Sequence, residues 1–166
     1  VSKIVVYHCF GGTHSSIIAA NLHLGRLPWQ VLPQREELLA LPHFDKLGSD
    51  AQGLVIPQGK DEGENLVCTV SRRSEGRLLE NILSSYSHLL GVELLVVDAL
   101  APLGSLARVG GFLSRRWGVI SLGRVLLLGD CLRVYPRFLD LVGETRNNLG
   151  LSREPKAGKM ELVAKL

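Results

Sequence analysis

The stretch KIVVYHCFGGTHSSIIAA, Lys3–Ala20, decides how the rest of the chain is read. Ile4-Val5-Val6-Tyr7 is an apolar, β-branched run of the kind that forms a buried strand. Gly11 and Gly12 come next within a cluster of hydroxyl and imidazole side chains, and Ile17-Ile18-Ala19-Ala20 then opens a helix. A strand that runs through a glycine turn into a helix aims free backbone N–H groups at one point. Such a point binds anions, phosphate above all.

Outward from this unit, Gly25 and Pro28 stop the first helix. Residues 35–47 read as a short helix interrupted by Pro42. Residues 53–56 and 65–70 are two short β-like runs around a polar, turn-rich segment, a hairpin that belongs at a sheet edge. Over residues 75–90, Leu78, Leu79, Ile82, Leu83, Tyr86, Leu89 and Leu90 form one apolar stripe on a helix. Val92–Val97 is a second apolar strand, closed by Asp98. Residues 103–117 read as a helix weakened by Gly110-Gly111, Val125–Leu128 as a third buried strand, and residues 133–149 as a last amphipathic helix. Apolar strands alternating with helices indicate an α/β fold, a three-layer sandwich whose sheet is mostly parallel with an antiparallel hairpin at one edge. A single domain is expected over 1–149, with 150–166 as a flexible C-terminal tail. Ligands of such sheets sit beyond the carboxyl ends of the strands. The loop Cys9–Ser16, the loop after Asp98 and the loop after Gly129 are therefore expected on one rim.

Bulk properties narrow the function classes. The 166 residues suit one domain, and 46% hydrophobic with 21% charged residues is an ordinary globular composition. Aromatics are only 5%, so the core falls to Leu, Val and Ile. Residues 1–103 carry 8 basic and 11 acidic side chains, whereas residues 104–166 carry 11 and 5. The basic second part suits a small phosphorylated or anionic ligand. It argues against nucleic acid, because no recognition motif or aromatic platform accompanies the charge. Cys9, Cys68 and Cys131 are odd in number and widely spaced, which indicates neither a disulfide framework nor a zinc site. No HxxxH or HExxH spacing occurs, so no protein-built metal site is expected. The chain opens directly in a strand without a signal-like pattern. No apolar run reaches the roughly 18 residues of a membrane span, and a cytoplasmic location is expected.

Within the loop, Gly11 and Gly12 allow positive φ and close backbone approach to an anion. Thr13, Ser15 and Ser16 add hydroxyl donors, either serine being able to cap the helix, and His14 can donate while neutral. His8, in the strand-end turn, is placed to line the same site. Cys9 is a candidate nucleophile, since a helix N-terminus favours thiolate over thiol; the competing reading is a small buried hydrophobe at a strand end. Arg115 and Arg116, in the segment RVGGFLSRRWGVISLGR, are candidates to fork onto a phosphate, or else they stabilise a helix C-terminus. They reach the rim only if the glycines at 110–111 break the helix and fold its end back. Asp98 either holds a magnesium ion bridged to a phosphate or caps the helix after its strand.

Three resemblances accompany these residues. Gly11-Gly12-Thr13 is similar to the GGxGK[ST] loop of nucleotide-binding P-loop proteins, and LLVVD ending at Asp98 resembles their magnesium-associated strand. His14-Ser15 occupy the positions of the expected Gly-Lys. Cys9 to Ser16 also resembles the Cys-x5-Arg-Ser loop of low-molecular-weight tyrosine phosphatases, with Ser15 at the arginine position. Across most of Val1 to about Asn148, YHCFGGTHSSIIAANLHLGRLP, the DEGEN turn and GGFLSRRWGVISLGR together resemble a family of uncharacterised bacterial proteins, domain of unknown function 3189. That resemblance implies a small cytosolic protein of spore-forming Gram-positive (Firmicute) bacteria and one domain.

Two functions stand side by side. One is a phosphate-, anion- or nucleotide-binding protein of phosphoryl-transfer or phosphatase type, with Cys9 or an Asp98-held magnesium carrying the reaction. The other is a non-catalytic regulatory or interaction module that uses the same pocket.

Overall fold

The computed structural model describes residues 2–102 and 128–155. Ile4–Cys9 forms strand β1 and Ser15–His23 helix α1. Helix α2 spans Arg35–Ala40, strand β2 Ile56–Lys60 and strand β3 Leu66–Ser71. Helix α3 spans Gly76–Leu90, strand β4 Leu94–Asp98 and helix α4 Tyr135–Asn148. The strands form one sheet in the order β2-β3-β1-β4; β1 is parallel to β3 and β4, and β2 is antiparallel to β3 at the edge. This is the α/β architecture expected of the strand–helix alternation.

Because β1 is central, its side chains enter both cores. Val5 and Tyr7 pack with Ile17, Ile18, Val67 and Phe138 on the α1 face. Val6 packs with Cys68 and Val70 on the other, beneath Leu79 and Leu83 of α3. All nine residues of α1 are buried, since the helix lies between the sheet and α4. Its sequence SSIIAANLH is small or apolar on nearly every side, as a helix covered all round requires. By contrast, Gly76 is the only fully buried residue of α3, and Leu78, Ile82, Tyr86, Leu89 and Leu90 of its apolar stripe stand exposed. Among the described residues no helix is long and apolar enough to cross a membrane.

The hairpin forms, but its first strand is IPQGK at 56–60 rather than residues 53–56. Pro57 is tolerated because β2 is an edge strand, and the ladder slips between Pro57 and Gly59. Of the expected strand at 125–128, residues 125–127 lie outside the described residues, while residues 128–133 are helical. The expected helix over 103–117 also lies outside. Of the tail, residues 150–155 lie against the domain: Arg146 Nε donates to Ser152 O at 2.9 Å and Gln30 Nε2 to Glu154 Oε2 at 2.7 Å.

The DEGEN turn is a structural anchor. Tyr7 Oη lies 2.8 Å from His23 Nδ1, and His23 Nε2 lies 3.0 Å from Asp61 Oδ2. Asp61 Oδ1 accepts the Gly63 and Asn65 N–H groups at 2.8 and 2.9 Å. Arg146, fully buried, donates to Glu62 and, at 2.7 Å, to the carbonyl of His23. Strand β1, the end of α1, the hairpin turn and α4 are thus joined by one buried polar network. Burial holds the His23 imidazole below its usual 6.5, against the pull of Asp61. Burial alone would raise Asp61, but hydrogen bonds from His23 and Asn65 outweigh it and hold the carboxyl below its usual 3.8.

These two shifts set the sign of the pH dependence. A histidine with a depressed folded pKa binds fewer protons folded than unfolded, so stability rises with pH up to the unfolded value. Thermal unfolding should show a Tm that is level above about pH 6.5 and falls as pH drops through that value. Asp61 adds a second loss below about pH 3.8. A Tm unchanged from roughly pH 7 to 5 would contradict the first of these. Asp61→Ala should cost about 3–5 kcal/mol at neutral pH, because it leaves buried partners unsatisfied.

Candidate functional site

The loop after β1 closes around a sulfur atom. Cys9 is the last residue of β1, and its side chain points to the α1 face. The Gly12 N–H donates to Cys9 Sγ at 3.0 Å, and Ser16 Oγ, in the first turn of α1, lies 3.1 Å from the same sulfur. Cys9 is 3% exposed, and Gly12, Ser15 and Ser16 are buried with it. Helix α1 starts with His14 as its cap residue, without a side-chain cap bond and without an acidic residue in its first turn. The first turn of the helix itself supplies no counter-charge to its positive end, and the carboxylate at that end is Asp45, on the cap residue His14. Burial pushes the Cys68 thiol up to about 11, and burial together with Asp130 and the neighbouring Cys9 pushes Cys131 to about 12.

Gly12 adopts φ +68°, the left-handed region that glycine supplies without strain. A Cβ built there would lie 2.9 Å from both Ser71 N and Ser71 Cβ. The close approach that Gly12 permits is thus to the end of β3, where Ser71 Oγ in turn accepts the Gly53 N–H at 3.0 Å. Gly11, half-buried, lies at the outer side of the turn. Thr13 and His14 face away from the sulfur. Thr13 Oγ1 is 3.0 Å from His14 Nδ1, His14 Nε2 is 3.2 Å from Asp45 Oδ1, and the Asp45 N–H donates to Thr13 O at 3.1 Å. These two side chains brace the loop against the segment after α2.

Two further candidates, His8 and Asp98, stand on the opposite face of the sheet, because successive strand residues alternate. His8 is 1% exposed, with Nε2 3.3 Å from Glu80 Oε1 and Nδ1 3.8 Å from Asp98 Oδ1. Burial lowers its pKa, against the pull of both carboxylates. Asp98 Oδ1 accepts the Leu100 N–H at 2.8 Å and Oδ2 lies 3.4 Å from Arg72 Nη2, so its carboxylate closes a turn and pairs with a guanidinium. Among the described residues no group of three His, Cys, Asp or Glu side chains is arranged to hold a metal ion.

Arg115 and Arg116 lie outside the described residues. Two other arginines stand at the rim. The Arg72 N–H donates to Cys9 O at 2.9 Å and the Arg73 N–H to Phe10 O at 3.0 Å, so the pairing of β3 with β1 continues into the loop. The Arg73 guanidinium lies 5.6 Å from the centre of the Phe10 ring. Reading Arg115 and Arg116 as the rim guanidiniums overlooks this pair, although the signal is present: Arg72-Arg73 directly succeed an apolar strand, and parallel strands end on one rim. Asp45 carries no such signal, since its segment reads as a proline-broken helix.

Gly12→Ala should destabilise the fold more than Gly91→Ala. Both glycines are left-handed, but a Cβ at Gly91 meets nothing within 4 Å. Overpacking at Ser71 should add about 1–3 kcal/mol at position 12, a difference that paired denaturant titrations read. Equal losses would mean that the loop does not pack on β3 as described.

No curated protein and no solved structure matches this chain. Residues 4–147 match the model of the family described as "Protein of unknown function (DUF3189)". That match spans both faces of the sheet and every element from β1 nearly to the end of α4, and the chain belongs to this family.

Proposed function

We propose that the loop Cys9–Ser16 is an anion site of phosphatase-like character in a cytoplasmic protein, with the Cys9 sulfur at its centre and a phosphorylated small molecule as ligand. The observation that carries this reading is the convergence of the Gly12 N–H and the Ser16 hydroxyl on that sulfur at the start of an uncapped helix. A backbone N–H aimed at the sulfur suits an anion there, the Ser16 contact running in either direction, and a nucleophile for phosphoryl transfer has to be the thiolate. Ser15 and the half-buried Gly11 complete the wall of the loop. All three cysteines are free, as in a reducing compartment. Asp98 faces the other side of the sheet, so a magnesium ion bridged to the ligand phosphate would draw on no carboxylate from that residue.

The near-complete burial of Cys9 favours a second reading, a regulatory module that binds an anion over the loop without turnover. One pair of proteins separates the two. On the phosphatase-like reading the wild type hydrolyses p-nitrophenyl phosphate, and Cys9→Ser abolishes turnover while keeping phosphate binding. On the regulatory reading neither protein turns over ester, and Cys9→Ser changes stability alone, by about 1–3 kcal/mol.

A further inference from the structure

His8 is a buried titratable side chain for which the Cys9 loop has no use. It is 1% exposed, and neither ring nitrogen has a hydrogen-bond partner among the described residues. Nε2 lies 3.3 Å from Glu80 Oε1 of α3 without the alignment of a hydrogen bond, and Nδ1 lies 3.8 Å from Asp98 Oδ1 of β4, too far for one. We infer that His8 is an acid-operated release for α3: when the imidazole takes up a proton, the helix lifts from the sheet while the α1 side of the fold holds.

The closed site receives an imidazolium poorly. Neutral His8 leaves one N–H unpaired, whereas the cation leaves two and brings a full charge into the interior. The charged groups facing the ring are Glu80 from α3, Asp98 from β4 and Arg72 just past β3. Glu80 is half exposed, so water screens its pull. Asp98 is already committed to the Leu100 N–H and to Arg72. Arg72 repels the cation and has no room to retreat, because its guanidinium fills the space beside Gly76: a Cβ there would lie 2.8 Å from Arg72 Nη1. Burial, the leading influence on His8, acts in the same direction and lowers its pKa.

Water reaches the ring most cheaply by way of α3. Of its 15 residues Gly76 alone is buried, and Leu79 and Leu83 meet a small cluster of Val6, Cys68 and Val70. All nine residues of α1 are buried in the larger core on the other face. An element with so few buried apolar contacts opens at a lower free energy than the whole fold. Its lifting carries Glu80 away and wets both ring nitrogens. A histidine that titrates near 6.5 when open and well below that when closed favours opening about tenfold more at about pH 5.5 than at neutral pH.

Hydrogen–deuterium exchange of the full chain, read by mass spectrometry at about pH 7.5 and about pH 5.5 and corrected for intrinsic rates, tests this. In the wild type the α3 amides should lose about tenfold in protection at the lower pH, beyond any change in α1 and α4. His8→Gln, uncharged at both pH values, should keep equal α3 protection at both. His88→Gln, which removes an exposed histidine of α3 itself, should behave as the wild type. If His8→Gln does not fold, the wild-type profile carries the test: α3 opening should be level above about pH 6.5 and rise about tenfold per unit below it. Protection of α3 that is indifferent to pH, that is lost only in step with α1 and α4, or that falls equally in His8→Gln would overturn the release.

Discussion

The hydrogen bond between His23 and Asp61 joins two parts of the chain that the sheet alone leaves independent. Strands β1 and β3 would pair without it, but nothing in that pairing sets the height of α1. His23 ends α1 and Asp61 begins the hairpin turn, and both side chains are fully buried at 3.0 Å. In a low-dielectric interior such a contact is strong when complete and costly when one member is missing. Tyr7 ties it to the central strand, and Arg146 ties it to α4 through the His23 carbonyl. A helix of nine residues is stiff, so anchoring its last residue also fixes its first turn. That first turn carries Ser16 to the Cys9 sulfur. The buried network at one end of the sheet thus sets the geometry of the loop at the other.

Strand alternation then divides the rim. Cys9 and Ser71 face α1; His8 and Asp98 face α3. The first side holds a thiol, hydroxyls and backbone donors without a local acidic group in the helix turn. The second holds an imidazole between two carboxylates, with Arg72 alongside. The α3 side is self-compensating in charge, whereas on the α1 side the Gly12 N–H meets the Cys9 sulfur and the first turn of α1 carries no carboxylate. On the proposed reading, that asymmetry, more than the glycines, is what suits the loop to an anion.

Much of this is legible in the residues. An unbroken apolar run predicts β1, glycine and hydroxyls after that run predict the turn into α1, and Pro136 falls in the first turn of α4, where proline fits. Strand β2 escapes a sequence reading because IPQGK carries neither alternation nor β-branching beyond Ile56; tertiary pairing with β3 makes it a strand. The stripe on α3 is real, but periodicity cannot say which side meets the sheet, and only Leu79 and Leu83 lean on it. The DEGEN segment reads only as part of a polar, turn-rich segment, because a buried carboxylate needs partners that are distant in sequence, 38 residues for Asp61 to His23 and 84 for Glu62 to Arg146. Grouping His8 with Cys9 in one site overlooks alternation, which adjacent strand residues obey whatever the side-chain type. Gly12 does sit in a tight turn, yet its crowding comes from Ser71.

Alkylation of the three thiols, followed residue by residue with mass spectrometry, tests the central claim most directly: the Cys9 sulfur is the centre of an anion site. Burial holds Cys68 and Cys131 at about 11 and about 12, so both should react slowly at neutral pH. Cys9 should be modified first, and inorganic phosphate should slow its modification while leaving the other two unchanged. Equal rates at all three thiols, or a Cys9 rate indifferent to phosphate, would contradict it.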